Sequence, residues 1–237
     1  MEIEICKSCS RSPEDFVKRE LAEPFATMII DPPWDYTCAP GTVDNKKLSG
    51  YIHNKNGDEK YKGTITTEKL KTLPIEKLVG GYALLWTTMP FIRGALELLD
   101  AWRFDYITGM CWAKYAQASN AQPGLFGESD PIEEGHGYGG VGFWFLGNHE
   151  LLLLGKRKGW PSIRTGHSSL IIEKKTRHSQ KPDNVHSLCE EIFPGPYLEL
   201  FGRRSRPGWT VLGNEAPGDG KDIFDSTRDL LMEHECK

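Results

Sequence analysis

Apolar residues along the chain fall in short unbroken runs rather than in strict alternation. Pro24–Ile30 (PFATMII), Tyr82–Trp86 (YALLW), Tyr197–Phe201 (YLELF) and Trp209–Leu212 (WTVL) are such runs. Strands that are apolar on both sides belong to a sheet covered on both faces. Glu150–Leu154 and Ser169–Ile172 are two further β-prone runs. Pro90–Trp102 (PFIRGALELLDAW) sets Phe91, Ala95, Leu98, Leu99 and Trp102 at helical spacing, with Pro90 suited to a first turn. Phe104–Ala113 (FDYITGMCWA) follows as a strand, which completes a strand-helix-strand unit of the kind that builds parallel sheets. Lys181–Phe193 carries Val185, Leu188, Cys189, Ile192 and Phe193 on one face of a second amphipathic helix.

The alternation predicts a single α/β domain over residues 23–217, its mostly parallel sheet covered by helices on both faces. Two polar, glycine-rich stretches, 36–63 and 115–142, read as long loop insertions, and loops of that length are often functional lids. Residues 1–22 read as an N-terminal extension and 218–237 as a charged, peripheral tail.

The 237 residues are 38% hydrophobic and 26% charged, an ordinary globular composition. No apolar run approaches the ~18 residues of a membrane span, and the polar N-terminus lacks a secretory segment, so a cytoplasmic protein is expected. The six cysteines are scattered, and reduced thiols are the default reading. Cys6 and Cys9 form a CxxC with no second pair to complete a zinc site, so no metal is implied. The net charge of −4 argues against nonspecific coating of nucleic acid. Residues 155–206, however, hold eleven Lys/Arg against five acids. That segment is either a solvated face or a phosphate-facing side, with Lys156, Arg157 and Lys158 as candidate backbone contacts.

Parallel sheets bind ligands at the carboxyl ends of their strands, which singles out the loops after Ile30, Trp86 and Phe201. The first begins Asp31-Pro32-Pro33-Trp34. Its prolines fix φ and bias the residues before them towards extended geometry. Asp31 would offer a carboxylate, Pro32 a free carbonyl oxygen and Trp34 a π-face, a set that suits a planar ligand with an exocyclic amine, such as adenine. The plainer alternative is a strand end with a capping acid and a packed tryptophan. Local physics leaves both open. There is no GxGxxG fingerprint and no GxxxxGK[ST] phosphate loop, so dinucleotide and ATP chemistry have little support.

DPPW is followed in order by YKGTIT, ALLWTT, GFWFLGNHELLLLGKRKG, RHSQKPDNVHSLCEEI and YLELFGRRSRPGWTVLGNE. This ordered set, over about Phe25–Glu215, resembles the MT-A70 family, to which the catalytic subunit of the eukaryotic messenger-RNA adenosine methyltransferase belongs. The resemblance implies a Rossmann-like methyltransferase domain with permuted motif order, in which the catalytic motif precedes the cofactor motif. It implies S-adenosylmethionine as methyl donor and the N6 amine of adenine in nucleic acid as acceptor. Asp31 and Pro32 would hold the amine, while Pro33 and Trp34 wall the pocket and stack on the base. Tyr61, with Tyr36, would face the target nucleotide. Lys181 would lie near the donor's carboxylate and Asp31, and Arg203, Asn214 and Glu215 would hold its ribose. Ile30, Phe201 and Ser205 complete the implied cofactor set. Relatives often carry Gln at the place of Glu215 and His at that of Ser205. DNA is the favoured acceptor, because the chain lacks an appended RNA-binding module. An RNA enzyme, a non-catalytic partner subunit and a small-molecule methyltransferase are the alternatives. A homodimer and a heterodimer are both left open, and no membrane partner is expected.

Overall fold

A computed structural model of the chain describes residues 25–35, 64–115, 147–174, 181–213, 216 and 221–235. The elements in chain order are β1 (Phe25–Ile30), two short helical turns α1 (Thr67–Leu70) and α2 (Ile75–Leu78), β2 (Val79–Thr87), α3 (Ile92–Ala101) and β3 (Phe104–Tyr115). β4 (His149–Arg157), β5 (Leu170–Lys174), α4 (Asn184–Ile192), β6 (Tyr197–Leu200), β7 (Trp209–Leu212) and α5 (Ile223–Glu235) follow. The seven strands form one sheet in the order β5-β3-β4-β2-β1-β6-β7. Four of the six pairings are parallel, and only β4 is antiparallel to both its neighbours, β2 and β3. The expected mostly parallel, Rossmann-like sheet is therefore present, with one reversed strand in its middle.

Continuous burial of β1 and β2 follows from layers on both sides. Met28, Ile30, Ala83 and Leu85 face a core completed by Leu70, Ile75 and Leu78 of α1 and α2, Ala95, Leu98 and Leu99 of α3, and Ile223 of α5. Ile29, Leu84 and Trp86 face the other core, closed by Val185 and Cys189 of α4 with Trp160 and Trp112. The period-2 alternation of side chains thus feeds two apolar layers from one run.

The chain leaves β1 towards β2 on one side and returns to its other side as β6. Such a reversal of strand order opens a crevice at the carboxyl ends. The tail reading is corrected in part. Residues 223–235 form α5, whose Ile223 and Thr227 are buried while Phe224, Leu230 and Leu231 pack against the core, so it is a covering helix and not a peripheral tail. The insertions at 36–63 and most of 115–142 lie outside the described residues, as does the 1–22 extension. Among the described residues no helix is long and apolar enough to cross a membrane.

Candidate active site

Asp31 leaves β1 at the reversal point. Its backbone N–H lies 3.5 Å from the Leu200 carbonyl of β6, which ties the loop to the neighbouring strand end. The next residues are held by their own backbone: Trp34 N–H donates to Pro32 O at 2.9 Å and Ile65 N–H to Pro33 O at 2.9 Å. The Pro32 carbonyl, expected to be free, is thus partly engaged: the tight turn uses one of its lone pairs, and the second remains for a ligand.

Trp34 also departs from expectation. Its ring is buried, stacked on Phe91 at 5.2 Å between centroids, and its indole N–H donates to the Trp86 carbonyl at 3.2 Å. A ring stacked on Phe91 and sealed in the core presents no broad face to a base. The packed-tryptophan alternative describes it, and its task is to brace the loop against the end of β2.

Lys181, just before α4, reaches across the crevice. Its Nζ lies 2.7 Å from Asp31 Oδ2 and 3.1 Å from Glu150 Oε2. Glu150 in turn pairs with Lys114 of β3 through its other oxygen. Charges therefore alternate along Asp31, Lys181, Glu150 and Lys114, across the carboxyl edge of the sheet. The two lysines lie over tryptophan rings, Lys181 at 5.5 Å from the Trp86 centroid and Lys114 at 5.0 Å from that of Trp112.

Burial pushes the Asp31 carboxyl above its ordinary value, and Lys181 offsets only part of that push. Burial acts on Glu150 in the same sense, but attraction to Lys181 and Lys114 outweighs it and holds that carboxyl low. Burial disfavours the Lys181 ammonium, yet Asp31 and Glu150 together raise its proton affinity above the ordinary lysine value.

On the β6 side, Phe201 takes a left-handed backbone with φ 63°, a costly conformation for a side chain of that size. A Cβ built on Gly213 would lie 2.4 Å from the Gly202 carbonyl, so the loops after β6 and β7 need glycine to approach this closely. Arg203 is near enough to Asp31 to favour its ionised form. Arg204 pairs with Asp183, from which Arg206 stands 3.8 Å away, and Ser205 is exposed. Ile30 is buried at the end of β1.

Lys156, Arg157 and Lys158 are placed elsewhere. Because β4 runs against its neighbours, Lys156 pairs in register with Tyr82 near the start of β2, while Leu151 pairs with Thr87 at its end. The basic triad therefore sits on the rim opposite Asp31. Arg157 is also occupied, donating to the carbonyls of Trp102 and Glu76, and Lys156 donates to that of Trp160. Tyr36, Tyr61, Asn214 and Glu215, with Cys6 and Cys9, lie outside the described residues.

The MT-A70 family model matches residues 25–215, most of the chain. The chain belongs to the MT-A70 family. Among curated MT-A70 relatives, the N(6)-adenosine-methyltransferase subunit METTL3 of Danio rerio is 28% identical over 199 residues, 82% of this chain and 28% of that protein. The N(6)-adenosine-methyltransferase catalytic subunit METTL3 of Homo sapiens is 27% identical over the same length, again 28% of that protein. The N(6)-adenine-specific methyltransferase METTL4 of Homo sapiens is 27% identical over 201 residues, 81% of this chain and 37% of that protein. The chain thus spans little more than a third of the longest-covered of these three MT-A70 proteins, and less of the others.

Two members of the charged row escaped the sequence reading. The sequence pattern marks Glu150 only as the start of a β-prone run and Lys114 as the first residue beyond one. The local signal was present: a glutamate opening an otherwise apolar run, and a lysine closing one, are out of character for buried strands. Their meeting depends on the β3–β4 register, which pairs Trp112 with Glu150 and which no local pattern specifies.

Proposed function

We propose that this protein transfers a methyl group from S-adenosylmethionine to the N6 exocyclic amine of adenine in a polynucleotide, with DNA the favoured acceptor. The observation that carries this reading is the Asp31–Lys181 pair at the reversal point of the sheet, 2.7 Å apart, in a loop whose backbone is fixed on three sides. The METTL3 and METTL4 relatives, named for N6 of adenosine and of adenine, support adenine or adenosine N6 as the acceptor class.

The residues present fit the donor. A carboxylate and an ammonium side by side complement a zwitterionic amino-acid tail, and the close-set loops after β6 and β7 form the floor on which a nucleoside would lie. Asp31, Lys181, Phe201 and Arg203 are the described residues that would hold it. When bound, S-adenosylmethionine supplies an electrophilic methyl group on a cationic sulfur.

The chain's own part is to position and to stabilise charge. Asp31 accepts one N–H of the adenine amine and the remaining lone pair of Pro32 O accepts the other, which turns the nitrogen lone pair out of the ring plane towards the methyl. As nitrogen becomes cationic, the Asp31 carboxylate stabilises the charge. The surplus N–H proton then leaves to solvent past Asp31, whose side chain is 32% exposed.

The polynucleotide backbone follows the catalytic rim, where Arg204 and Arg206 stand, and not the far rim of Lys156–Lys158. A base buried in a duplex would have to be flipped out to reach Asp31. Methyl transfer from labelled S-adenosylmethionine to single-stranded DNA, duplex DNA and RNA tests the reading, with Asp31→Asn as control. Label in adenine of DNA, lost in the variant, is the expected result. Label in RNA alone would transfer the assignment to RNA, and none anywhere would overturn the reading.

A further inference from the structure

The charged row extends beyond the groups that could touch a substrate. Lys114 makes its ion pair with Glu150, and among the described residues no ion pair joins it to Asp31, yet it is packed as closely as the members nearer the crevice. Side-chain exposure is 14% for Lys114, 13% for Glu150 and 17% for Lys181, so water screens these charges little. A buried ion pair is seldom worth more to stability than apolar residues of the same volume, and two in series ask for another reason.

We propose that Lys114 and Glu150 are positioning residues, which as the far end of a row of alternating charges govern how the Lys181 ammonium is shared between Glu150 and Asp31 and so set how well Asp31 accepts the amine. The inference rests on the methyl-transfer reading of the site.

The backbone dictates the row. Trp112 pairs in register with Glu150, and Lys114 N–H donates to Asn148 O at 2.8 Å, so β3 and β4 deliver Lys114 and Glu150 side by side. Beneath them Trp86 and Trp112 meet edge to face, 6.1 Å apart, and each carries one of the two lysines on its ring. The Trp112 indole N–H donates to Glu173 O at 3.1 Å and locks that ring. Each ammonium is thus held between a tryptophan ring and carboxylate oxygen.

Among the described residues, the charges that face Asp31 are Lys181, from the segment before α4, Glu150 from β4, and Arg203 from the β6–β7 loop. Lys181 is shared, so each charge on Glu150 is felt at Asp31 twice: directly, and through its pull on the ammonium. Without Lys114, Glu150 is left with one cation, draws harder on Lys181 and disfavours ionised Asp31. Without the charge of Glu150, Lys181 belongs to Asp31 alone, and Lys114 adds an uncancelled positive charge that favours ionised Asp31. The two losses therefore act in opposite directions.

The test is the titration of the Asp31 carboxyl by ¹³C NMR on the full chain, assigned with Asp31→Asn, in wild type, Lys114→Met, Glu150→Gln and the double variant. In parallel, the acid limb of kcat/KM for adenine methylation is measured. We expect Lys114→Met to move both readouts to higher pH and Glu150→Gln to lower pH, each by a factor of about three to ten in proton concentration. The double variant returns close to wild type, and Lys114→Arg does not move. A merely structural role would lower rates or melting temperatures without these opposite shifts. Single variants that shift in the same direction, or an Asp31 titration that does not move, would overturn the proposal. If wild type methylates nothing, the functional reading fails, while the NMR titration still decides whether the row governs Asp31.

Discussion

Lys181 and Asp31, 150 residues apart in sequence, meet at 2.7 Å, and the same ammonium lies 3.1 Å from Glu150. One cation thus serves two carboxylates. Replacing Lys181 with Met leaves buried Glu150 with Lys114 alone and takes from half-buried Asp31 its nearest cation. We expect a loss of about 3 kcal/mol, read as a melting temperature lower by roughly 10 °C, together with an acid limb of activity at higher pH. Thermal melts and a pH-rate profile check this; an unshifted limb would show that Lys181 does not act through Asp31.

The same row gives stability a defined dependence on pH. Glu150 is held below the ordinary value of 4.5, so its stabilisation is full above that value and is lost as pH falls through the depressed one. Asp31, held above its ordinary 3.8, has the opposite sign: its ionisation costs folded stability as pH rises from 3.8 through the raised value. Lys181, raised above 10.5, stabilises below that pH and ceases to do so as pH climbs past its folded value. Melting curves from about pH 7 down to about pH 3 are expected to be flatter at the acid end for Glu150→Gln than for wild type.

Trp34 is a brace and not a base-stacking plane. Trp34→Phe keeps the ring against Phe91 but abandons the Trp86 carbonyl, at a cost of about 1 kcal/mol, and is expected to leave KM for the polynucleotide within about twofold. Trp34→Ala empties a core site and costs about 3–5 kcal/mol. A tenfold rise in KM for Trp34→Phe at unchanged melting temperature would restore the ring to the substrate.

Backbone contacts at the catalytic rim predict a salt signature. Arg204→Ala and Arg206→Ala are each expected to weaken oligonucleotide binding and to reduce the slope of log affinity against log salt by about one, whereas Lys158→Ala leaves the slope unchanged. Fluorescence titrations at several ionic strengths measure it. The reverse pattern would move the substrate to the opposite rim.

Much of this architecture was legible because strands buried on both faces announce themselves as unbroken apolar runs. The run Trp209–Leu212 coincides with β7 to the residue, and the apolar run ending at Ile30 suffices to set Asp31 on the carboxyl edge. The direction of β4 was not legible. Nothing in HELLLLGKR distinguishes a parallel strand from an antiparallel one, and it is the antiparallel sense that sets Lys156–Lys158 on the rim away from Asp31 and brings Glu150 to the rim beside it. α1 and α2, four residues each, are too short for any period to show. Trp34 illustrates a different limit: an aromatic after a tight turn looks alike whether it faces a ligand or a core, until the residue stacked on it is known.

The reversed strand also separates two kinds of change that a chain of this length can accept. Lys158 lies roughly 25 Å along the strand direction from Glu150, at the turn where Gly159 takes a left-handed backbone. Surface substitutions, a tether to a support or a grafted module at that turn would stand a full sheet-width from the chemistry. The same operation a few residues before Glu150 would fall on the catalytic rim itself. The turn after β4 is thus the natural attachment point for anyone wishing to immobilise, label or extend this protein without touching its site.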